Sequence, residues 1–317
     1  MKVSIPTLAL ICGMVAWLAS RTVDGGVGAA SNHKGFDVSN AIVPADQIVS
    51  GGPPPDGIPS IDKPKFMSQR MVSYLQENDE VLSVTLGGET RAYPLRILVW
   101  HEIVNDQIKG VPIAVTYCPL CGTAMAFSRE VEGRKLTFGV SGLLYQSDVL
   151  MFDRETRSLW SQLGTQSVAG KLVGATLEWI PTEQMTWKSW QQKYPGSKVL
   201  SILTGSARNY SSQPYADYET NPQVMFPVPT HRTELPEKAW VLGTIVNGEA
   251  KAYPLAQMPP REGIRDVLGD VEIIVAYDPV TRHATVQEAE TGELIPSVKV
   301  YWFAWQAFYP QTRLWGF

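Results

Sequence analysis

The sequence predicts an α+β protein of two related domains, each a mainly antiparallel sheet with short helices. The chain has 317 residues, which is more than one hydrophobic core usually organises. It also repeats itself: Val81–Leu95 aligns without a gap on Val241–Leu255, and both segments end in Ala-Tyr-Pro-Leu. Farther on, Trp187-Lys-Ser-Trp-Gln corresponds to Trp302-Phe-Ala-Trp-Gln. Two copies of one domain explain both the length and the repeat.

The beginning of the chain has the pattern of an export signal. Lys2 precedes an apolar run without charges from Ile5 to Ala19. That run is short for a membrane-spanning helix, which needs about 20 residues. We therefore expect residues 1–30 to be a signal peptide of a periplasmic or secreted protein; retained uncleaved, the segment would tether the protein to the membrane.

The remaining chain divides at two stretches of turn-forming residues. Residues 31–66 are rich in Gly, Pro, Asp and Ser and predict an extended arm, either lying on the first domain or acting as a tether. Residues 206–237 have a similar composition and predict a linker. The first copy of the repeat is then expected at 67–205, and a second, shortened copy at 238–317.

Local patterns predict the elements inside each copy. β-Branched runs and Gly-Gly or Asn-Gly turns predict hairpins in both copies, and a helix before Tyr194 is expected to end there because a proline follows. The predicted elements of the first copy are strands at 81–86, 90–93, 111–117, 124–127 and 135–140, a short helix or helical turn at 96–105, and a helix at 187–193.

Composition limits the classes of function. Hydrophobic residues make up 44% of the chain, enough to bury real cores, and the formal net charge is -4. Binding to nucleic acid needs a concentrated basic face, and the sequence contains no such stripe of Lys and Arg. We therefore expect no nucleic-acid partner. The sequence does not identify a protein partner or a small-molecule substrate, and it leaves open whether the protein is an enzyme.

The second copy serves as an internal control for the first. Residues that both copies share are those the fold requires, whereas special chemistry in one copy indicates function. At four such positions the second copy has a residue of a different chemical type: Trp100, His101, Cys118 and Cys121 align with Pro260, Arg261, Asp278 and Thr281. This joint loss predicts one site, present in the first copy only.

The segment Cys118-Pro-Leu-Cys121-Gly122 has the form of a metal-binding knuckle. Two thiolates from one turn supply half of a tetrahedral site, and the glycine accepts the positive φ that closes the turn. His101 is the candidate third ligand, and thiolate with imidazole suits copper or zinc. The candidates for the fourth position are Met125, Glu102, Asp148, water or a substrate. The expected function is metal handling or a metal-assisted reaction.

Two other classes of function remain open. A Cys-x-x-Cys pair outside the cytoplasm can cycle between dithiol and disulfide, which predicts a thiol–disulfide oxidoreductase using Cys118 and Cys121. A non-catalytic interaction module is the third interpretation. A structural disulfide framework is not expected, since exported proteins that rely on one use more cysteines and join distant segments. For the cysteine pair itself, an inert disulfide or two buried thiols without chemistry is a further alternative.

An insertion at 139–181 is present only in the first copy. Its start combines hydroxyl groups with a carboxylate, at Ser141, Tyr145 and Asp148. The stretch predicts either the wall of a pocket over the cysteines or a β-hairpin with ordinary turn residues.

At these motifs the chain resembles the family named domain of unknown function 3179. The segments that carry the resemblance are 92–95 (Ala-Tyr-Pro-Leu), 100–106 (Trp-His-Glu-Ile-Val-Asn-Asp), 116–122 (Thr-Tyr-Cys-Pro-Leu-Cys-Gly), 136–142, 147–148 and 158–162. The resemblance covers most of the chain after the N-terminal segment. It implies that His101, Cys118 and Cys121 belong to a recurring pattern, and it supplies no activity.

Overall fold

The computed structural model describes residues 33–226 and 228–317. The predicted signal peptide or anchor at 1–30 lies outside the described residues. Within the described ranges no helix is long and apolar enough to cross a membrane.

The described chain consists mostly of short strands. The strands of the first two-thirds are β1 Val49–Ser50, β2 Phe66–Ser68, β3 Glu80–Leu86, β4 Glu89–Pro94, β5 Ile103–Ile108, β6 Val111–Cys118, β7 Thr123–Ser128, β8 Glu130–Val131, β9 Arg134–Lys135, β10 Phe138–Tyr145, β11 Asp148–Asp153, β12 Leu159–Ser161, β13 Gln166–Ala169, β14 Trp179–Ile180, β15 Thr182–Thr186 and β16 Lys198–Leu200. The later strands are β17 Trp240–Val246, β18 Glu249–Pro254, β19 Ile264–Leu268, β20 Val271–Asp278, β21 His283–Glu288, β22 Leu294–Ile295, β23 Ser297–Tyr301 and β24 Arg313–Leu314.

The helices are short. The α-helices are α1 Leu95–His101, α2 Trp187–Lys193, α3 Ala216–Thr220 and α4 Trp302–Phe308, and single 3₁₀ turns occur at Ala45–Gln47, Gln69–Met71 and Leu255–Gln257. The prediction of mainly antiparallel sheets with short helices is therefore confirmed. Strand residues outnumber helix residues by more than the α+β class implies, because each α-helix has only five to seven residues.

Three sheets position the chemistry. One has the order β1-β10-β11-β12-β13, a second has the order β14-β7-β6-β5, and the largest runs β19-β20-β21-β15-β3-β4-β16-β2 with β22 beside β21. The largest sheet contains strands from both predicted copies of the repeat, joined where Gln184 of β15 pairs with Ala284 of β21. A fourth sheet has the order β23-β17-β18-β24.

Several strand pairings recur in the two predicted copies. Strand β3 pairs with β4 and β15, and β17 pairs with β18 and β23. A parallel strand then adds to each hairpin, β16 to β4 and β24 to β18. In each copy a buried tyrosine donates to an aspartate: Tyr93 Oη to Asp106 at 2.6 Å, and Tyr253 Oη to Asp266 at 2.7 Å.

The predicted helix at 96–105 is wrong in its second half. The helix ends at His101, and Glu102 adopts a φ of 57°, which turns the chain out of the helix. The β-branched pair Ile103 and Val104 then begins strand β5, which pairs with β6 over its whole length. Cross-strand pairing of these buried side chains outweighs the helical pattern of the preceding residues.

The predicted arm and linker both pack against the sheets. In the arm, Val49 and Ser50 pair with β10, and the Ile61 backbone N–H donates to the Ile103 carbonyl at 2.9 Å. In the linker, the buried residues Tyr218 and Val228 belong to the same apolar cluster as the two cysteines. Both segments therefore contribute to the walls around the site.

Candidate metal centre

The two cysteines lie at the ends of the tight turn between β6 and β7. Cys118 is the last residue of β6 and pairs with Thr123, the first residue of β7. Gly122 closes the turn with a φ of 71°, and a Cβ there would lie 2.3 Å from the Trp240 ring. The Cys121 carbonyl accepts a hydrogen bond from the Tyr301 N–H at 3.0 Å. The turn is thus fixed from both sides, and only glycine fits its last position.

The insertion brings a carboxylate to the cysteines. Strands β10 and β11 form a hairpin in which Tyr145 pairs with Asp148 across a two-residue turn. The ligand atoms of Cys118, Cys121 and Asp148 all lie within 4.8 Å of one another. Of the two interpretations of the insertion, a hairpin is what forms, and this hairpin also carries a residue of the site.

The turn of this hairpin has an unusual backbone. Gln146 and Ser147 have φ of 52° and 66°, as a type I′ turn requires, although Asn-Gly is the sequence that this turn prefers. In this conformation the Ser147 carbonyl lies 3.3 Å from the Cys121 Sγ. The Ser147 Oγ is buried and has no hydrogen-bond partner among the described residues. The turn therefore brings a backbone carbonyl oxygen to the sulfur atoms.

Acidic groups lie at the site, and among the described residues none of them is paired with a Lys or Arg. Burial raises the pKa of Asp148 to about 7, although the Leu163 backbone N–H opposes the rise. Burial and the nearby charge of Asp148 raise the pKa of Glu102 to about 8. In the described ranges neither carboxyl forms an ion pair with Lys or Arg, and one oxygen of Asp148, Oδ1, has no hydrogen-bond partner there. Such a site favours protons or a metal cation.

The thiols are shielded from solvent and are not joined by a disulfide. Cys118 is 1% exposed and Cys121 is 0% exposed. Burial raises the pKa of both thiols, and the nearby charge of Asp148 adds to the rise. Reactive cysteines are instead partly exposed and have a lowered pKa. Without a metal, these two are poor nucleophiles.

His101 does not belong to this group of ligand atoms. Its Nδ1 lies 2.7 Å from the Pro59 carbonyl, and its Nε2 lies 2.7 Å from the Tyr210 hydroxyl. Both ring nitrogens are therefore engaged, one with the predicted arm and the other with the predicted linker. Burial lowers the pKa of His101, so the ring is neutral at pH 7.

The other candidate residues divide between the site and its surroundings. Met125 is buried on β7 in the same apolar cluster as the cysteines. Ser141 is engaged locally, since its Oγ donates to the Leu150 carbonyl. Tyr145 packs edge-on against Phe308, with ring centroids 5.7 Å apart.

Trp100 lies beside the site without joining it. Its ring is half-buried, and the guanidinium of Arg208 lies over it, 5.6 Å from the ring centroid. The indole Nε1 is buried and has no hydrogen-bond partner within the described part of the chain.

Sequence reasoning missed three tyrosines of the predicted linker. Tyr210 binds His101, and the Tyr218 hydroxyl donates to the Leu120 carbonyl in the knuckle at 2.9 Å. Tyr215 lies near enough to Glu102 for the carboxylate to raise its pKa further, beyond the effect of burial. Three tyrosines within nine residues of a stretch otherwise rich in Ser and Pro were the available signal, because aromatic side chains are uncommon in free linkers.

Two cavities lie near the knuckle. The larger has a volume of about 1090 Å³ and reaches the outside of the turn at Gly122, between Tyr117 and Tyr301. The smaller has a volume of about 360 Å³. The residues that line it include Asp46, Val49, Gln146, Ser147, Phe226 and Val228. Neither cysteine lines either cavity. Ser147 lines the smaller one, and its carbonyl oxygen lies 3.3 Å from the Cys121 Sγ.

Comparison with known protein families identifies the family of the chain. A family model described as protein of unknown function (DUF3179) matches residues 55–312, which include both cysteines and Asp148. No curated protein and no solved structure matches the chain.

Proposed function

Since the chain belongs to the DUF3179 family, whose description assigns no activity, its function has to be inferred from the site, and we propose that it binds a transition-metal ion through Cys118, Cys121 and Asp148. The observation that carries the proposal is the convergence of these three buried ligand atoms within 4.8 Å. Two thiols and one carboxyl group are gathered there, and none of the ion pairs among the described residues includes that carboxyl. A bound metal would supply the missing positive charge.

The ligand set favours zinc over copper. Thiolate and thioether ligands select Cu(I), whereas zinc accepts sulfur together with carboxylate oxygen. The third group here is the Asp148 carboxylate, a hard ligand. Met125 is the nearby thioether that would favour copper, and it packs in the apolar cluster with the cysteines.

The dimensions of the group suit a tetrahedral site. Zn–S bonds of about 2.3 Å and Zn–O bonds of about 2.1 Å place ligand atoms about 3.6 to 3.8 Å apart. The three atoms are within 4.8 Å of one another, so they need to approach by roughly 1 Å at most. The Ser147 carbonyl, at 3.3 Å from the Cys121 Sγ, lies where a fourth ligand is needed.

The thiol–disulfide alternative is supported less well. A catalytic pair needs one accessible thiol with a lowered pKa. Both thiols here are buried, and burial raises the pKa of each. Dithiol cycling would be the better interpretation if the protein bound no metal and formed the Cys118–Cys121 disulfide reversibly.

Cobalt(II) provides a direct test of the metal site. Titrated into reduced, chelator-treated protein, it is expected to give thiolate-to-metal charge-transfer absorption that saturates at one ion per chain. Cys118→Ser and Asp148→Asn should weaken this binding strongly. His101→Ala is the control, and it should keep the absorption because both ring nitrogens are already engaged. Absorption that required His101 but not Asp148 would refute this ligand set.

Two wider expectations remain proposals. The recurring strand pairings in the two halves and the hydrogen bonds Tyr93–Asp106 and Tyr253–Asp266 support a duplication of one unit. Export from the cytoplasm is supported by the charge pattern of residues 1–30. Under this proposal the metal is acquired outside the cytoplasm.

A further inference from the structure

The larger cavity lies between the two predicted copies of the repeat. Its volume is about 1090 Å³, and aligned positions of the two copies contribute to its lining. Three such pairs are Glu80 and Trp240, Leu95 and Leu255, and Tyr117 and Tyr277. None of the proposed metal ligands lines this cavity. It is therefore a separate feature, formed where the two halves meet.

Most charged groups of the lining are paired with one another. Arg96 donates two hydrogen bonds to the Asp79 carboxylate, at 2.7 and 2.9 Å. Between the two halves, the Glu80 carboxylate accepts from Arg282 at 3.0 Å and from Lys299 at 2.6 Å. A charged ligand would have to break such pairs, which leaves a charge without its partner and costs free energy.

The two remaining charged residues of the lining are also engaged. The ammonium group of Lys238 donates to the carbonyls of Tyr218 and Asn221, at 2.5 and 2.8 Å. Gln213 donates to the Glu219 carboxylate at 2.9 Å, and burial raises the pKa of Glu219. Every charged side chain that lines the cavity thus has a partner among the described residues.

Several uncharged polar groups of the lining, in contrast, have no partner. The hydroxyl groups of Tyr117, Tyr277 and Tyr301 form no hydrogen bond within the described part of the chain, and neither does the indole N–H of Trp240. Gln184 is 7% exposed, and its Oε1 is likewise unpaired among the described residues. Unpaired polar groups in a cavity cost free energy unless water or a ligand satisfies them. The hydrogen-bonding capacity that remains is therefore that of uncharged donors and acceptors.

An aromatic ring forms part of the same wall. Trp240 is 38% exposed, although it lies on β17, which pairs with strands on both sides. Tyr301 packs against it, with ring centroids 4.2 Å apart. An exposed tryptophan in the sheet is an apolar surface that the fold itself does not cover.

From these observations we propose that the larger cavity binds a neutral oligosaccharide. A sugar ring combines hydroxyl groups, which pair with uncharged donors and acceptors, with an apolar C–H face that packs on an aromatic ring. The unpaired polar groups and the Trp240 ring offer both kinds of surface. The volume of about 1090 Å³ is just above the usual range for small-molecule sites, about 300 to 1000 Å³, so the ligand has more than one ring. The proposal does not depend on the metal site.

Calorimetric titration of the chelator-treated full chain with neutral disaccharides tests the proposal. The probes are cellobiose, maltose and N,N′-diacetylchitobiose, and at least one of them should bind saturably with a Kd below about 1 mM. Because the ligand is uncharged, this Kd should change less than about twofold between about 50 and 500 mM salt. Saturable binding by none of the three, or binding of anionic glucuronate alone, would overturn the proposal.

Two substitutions test the location of the site. Tyr277→Phe removes one hydroxyl group from a partly exposed ring and should weaken binding about three- to tenfold. Trp240→Leu keeps an apolar side chain beside the knuckle but removes the flat ring, and it should weaken binding about tenfold or more. Tyr145→Phe is the matched control, since Tyr145 is also partly exposed and lines neither cavity.

An unchanged Kd in both Tyr277→Phe and Trp240→Leu would refute binding in this cavity. Tyr277→Phe should take up cobalt(II) as the wild type does, because Tyr277 is not a proposed metal ligand. The sugar titration uses metal-free protein, so the failure of either proposal leaves the other to be judged on its own result.

Discussion

Replacing Asp148 with asparagine should stabilise the metal-free protein and abolish its stabilisation by zinc. In the folded chain burial raises the pKa of Asp148 from 3.8 to about 7. Ionisation is therefore penalised in the folded state, and stability falls as the pH rises from about 4 to 7. The difference of about 3 pKa units corresponds to about 4 kcal/mol, fully present above pH 7. Asparagine removes this penalty and keeps an acceptor for the Leu163 N–H.

Urea unfolding of reduced, chelator-treated protein between pH 4 and 8 measures this effect. At pH 8 the free energy of unfolding of Asp148→Asn should exceed that of the wild type by up to about 4 kcal/mol, and the two should converge near pH 4. With zinc at 100 times its Kd the wild type should gain about 2.7 kcal/mol. The variant should gain much less.

Asp153 provides the matched control at the other end of β11. It is equally buried, but its carboxylate accepts hydrogen bonds from Thr156 and from Trp160 Nε1 at 2.9 Å. Asp153→Asn should therefore destabilise the protein at pH 8, by about 1.5 to 3 kcal/mol. If Asp148→Asn destabilised the metal-free protein in the same way, the reasoning from an uncompensated buried charge would be refuted.

Two further predictions concern the knuckle and acid stability. Gly122→Ala should lower the free energy of unfolding by about 3 kcal/mol, because its Cβ would lie 2.3 Å from the Trp240 ring at a positive φ. The control Gly174→Ala, where φ is 87° and a Cβ would meet no atom within 4 Å, should lower it by only about 1 kcal/mol. Equal losses of stability in thermal unfolding would contradict this prediction. Burial alone would raise the pKa of Glu183, but hydrogen bonds from His283, Lys193 and Tyr194 lower it from 4.5 to about 2. The stabilisation by the Glu183 carboxylate is thus present above about pH 4.5 and lost as the pH falls toward 2. Glu183→Gln should therefore lower the free energy of unfolding by up to about 3 kcal/mol at pH 7 and hardly at all at pH 2. A difference between wild type and variant that stayed constant across this pH range would refute the role of the charge.

Local patterns were sufficient to predict two hairpin turns and the knuckle turn. Asn247-Gly248 marks a turn between β17 and β18, and Cys118-Pro-Leu-Cys-Gly marks the turn between β6 and β7. These features depend on neighbouring residues, such as a glycine that accepts positive φ. They can therefore be recognised without knowledge of the tertiary structure.

The third ligand of the proposed metal site could not be assigned in this way. Asp148 was one of several candidates for the fourth ligand, and His101 was preferred for the third because it is replaced in the second copy together with the two cysteines. In the structure the two ring nitrogens of His101 are hydrogen-bonded to the Pro59 carbonyl and the Tyr210 hydroxyl. Both partners come from segments whose sequence has no helical or strand periodicity. Asp148 reaches the sulfurs only because the sheet containing β10 and β11 packs over the knuckle, and such packing is not encoded in local spacing.

The most direct test of the metal site is the metal content of the protein as purified without chelators. Elemental mass spectrometry of the wild type should show about one zinc per chain, whereas Cys118→Ser and Asp148→Asn should show almost none. His101→Ala should keep the metal. Wild-type protein that held no metal, even after reconstitution with zinc under reducing conditions, would contradict the central claim.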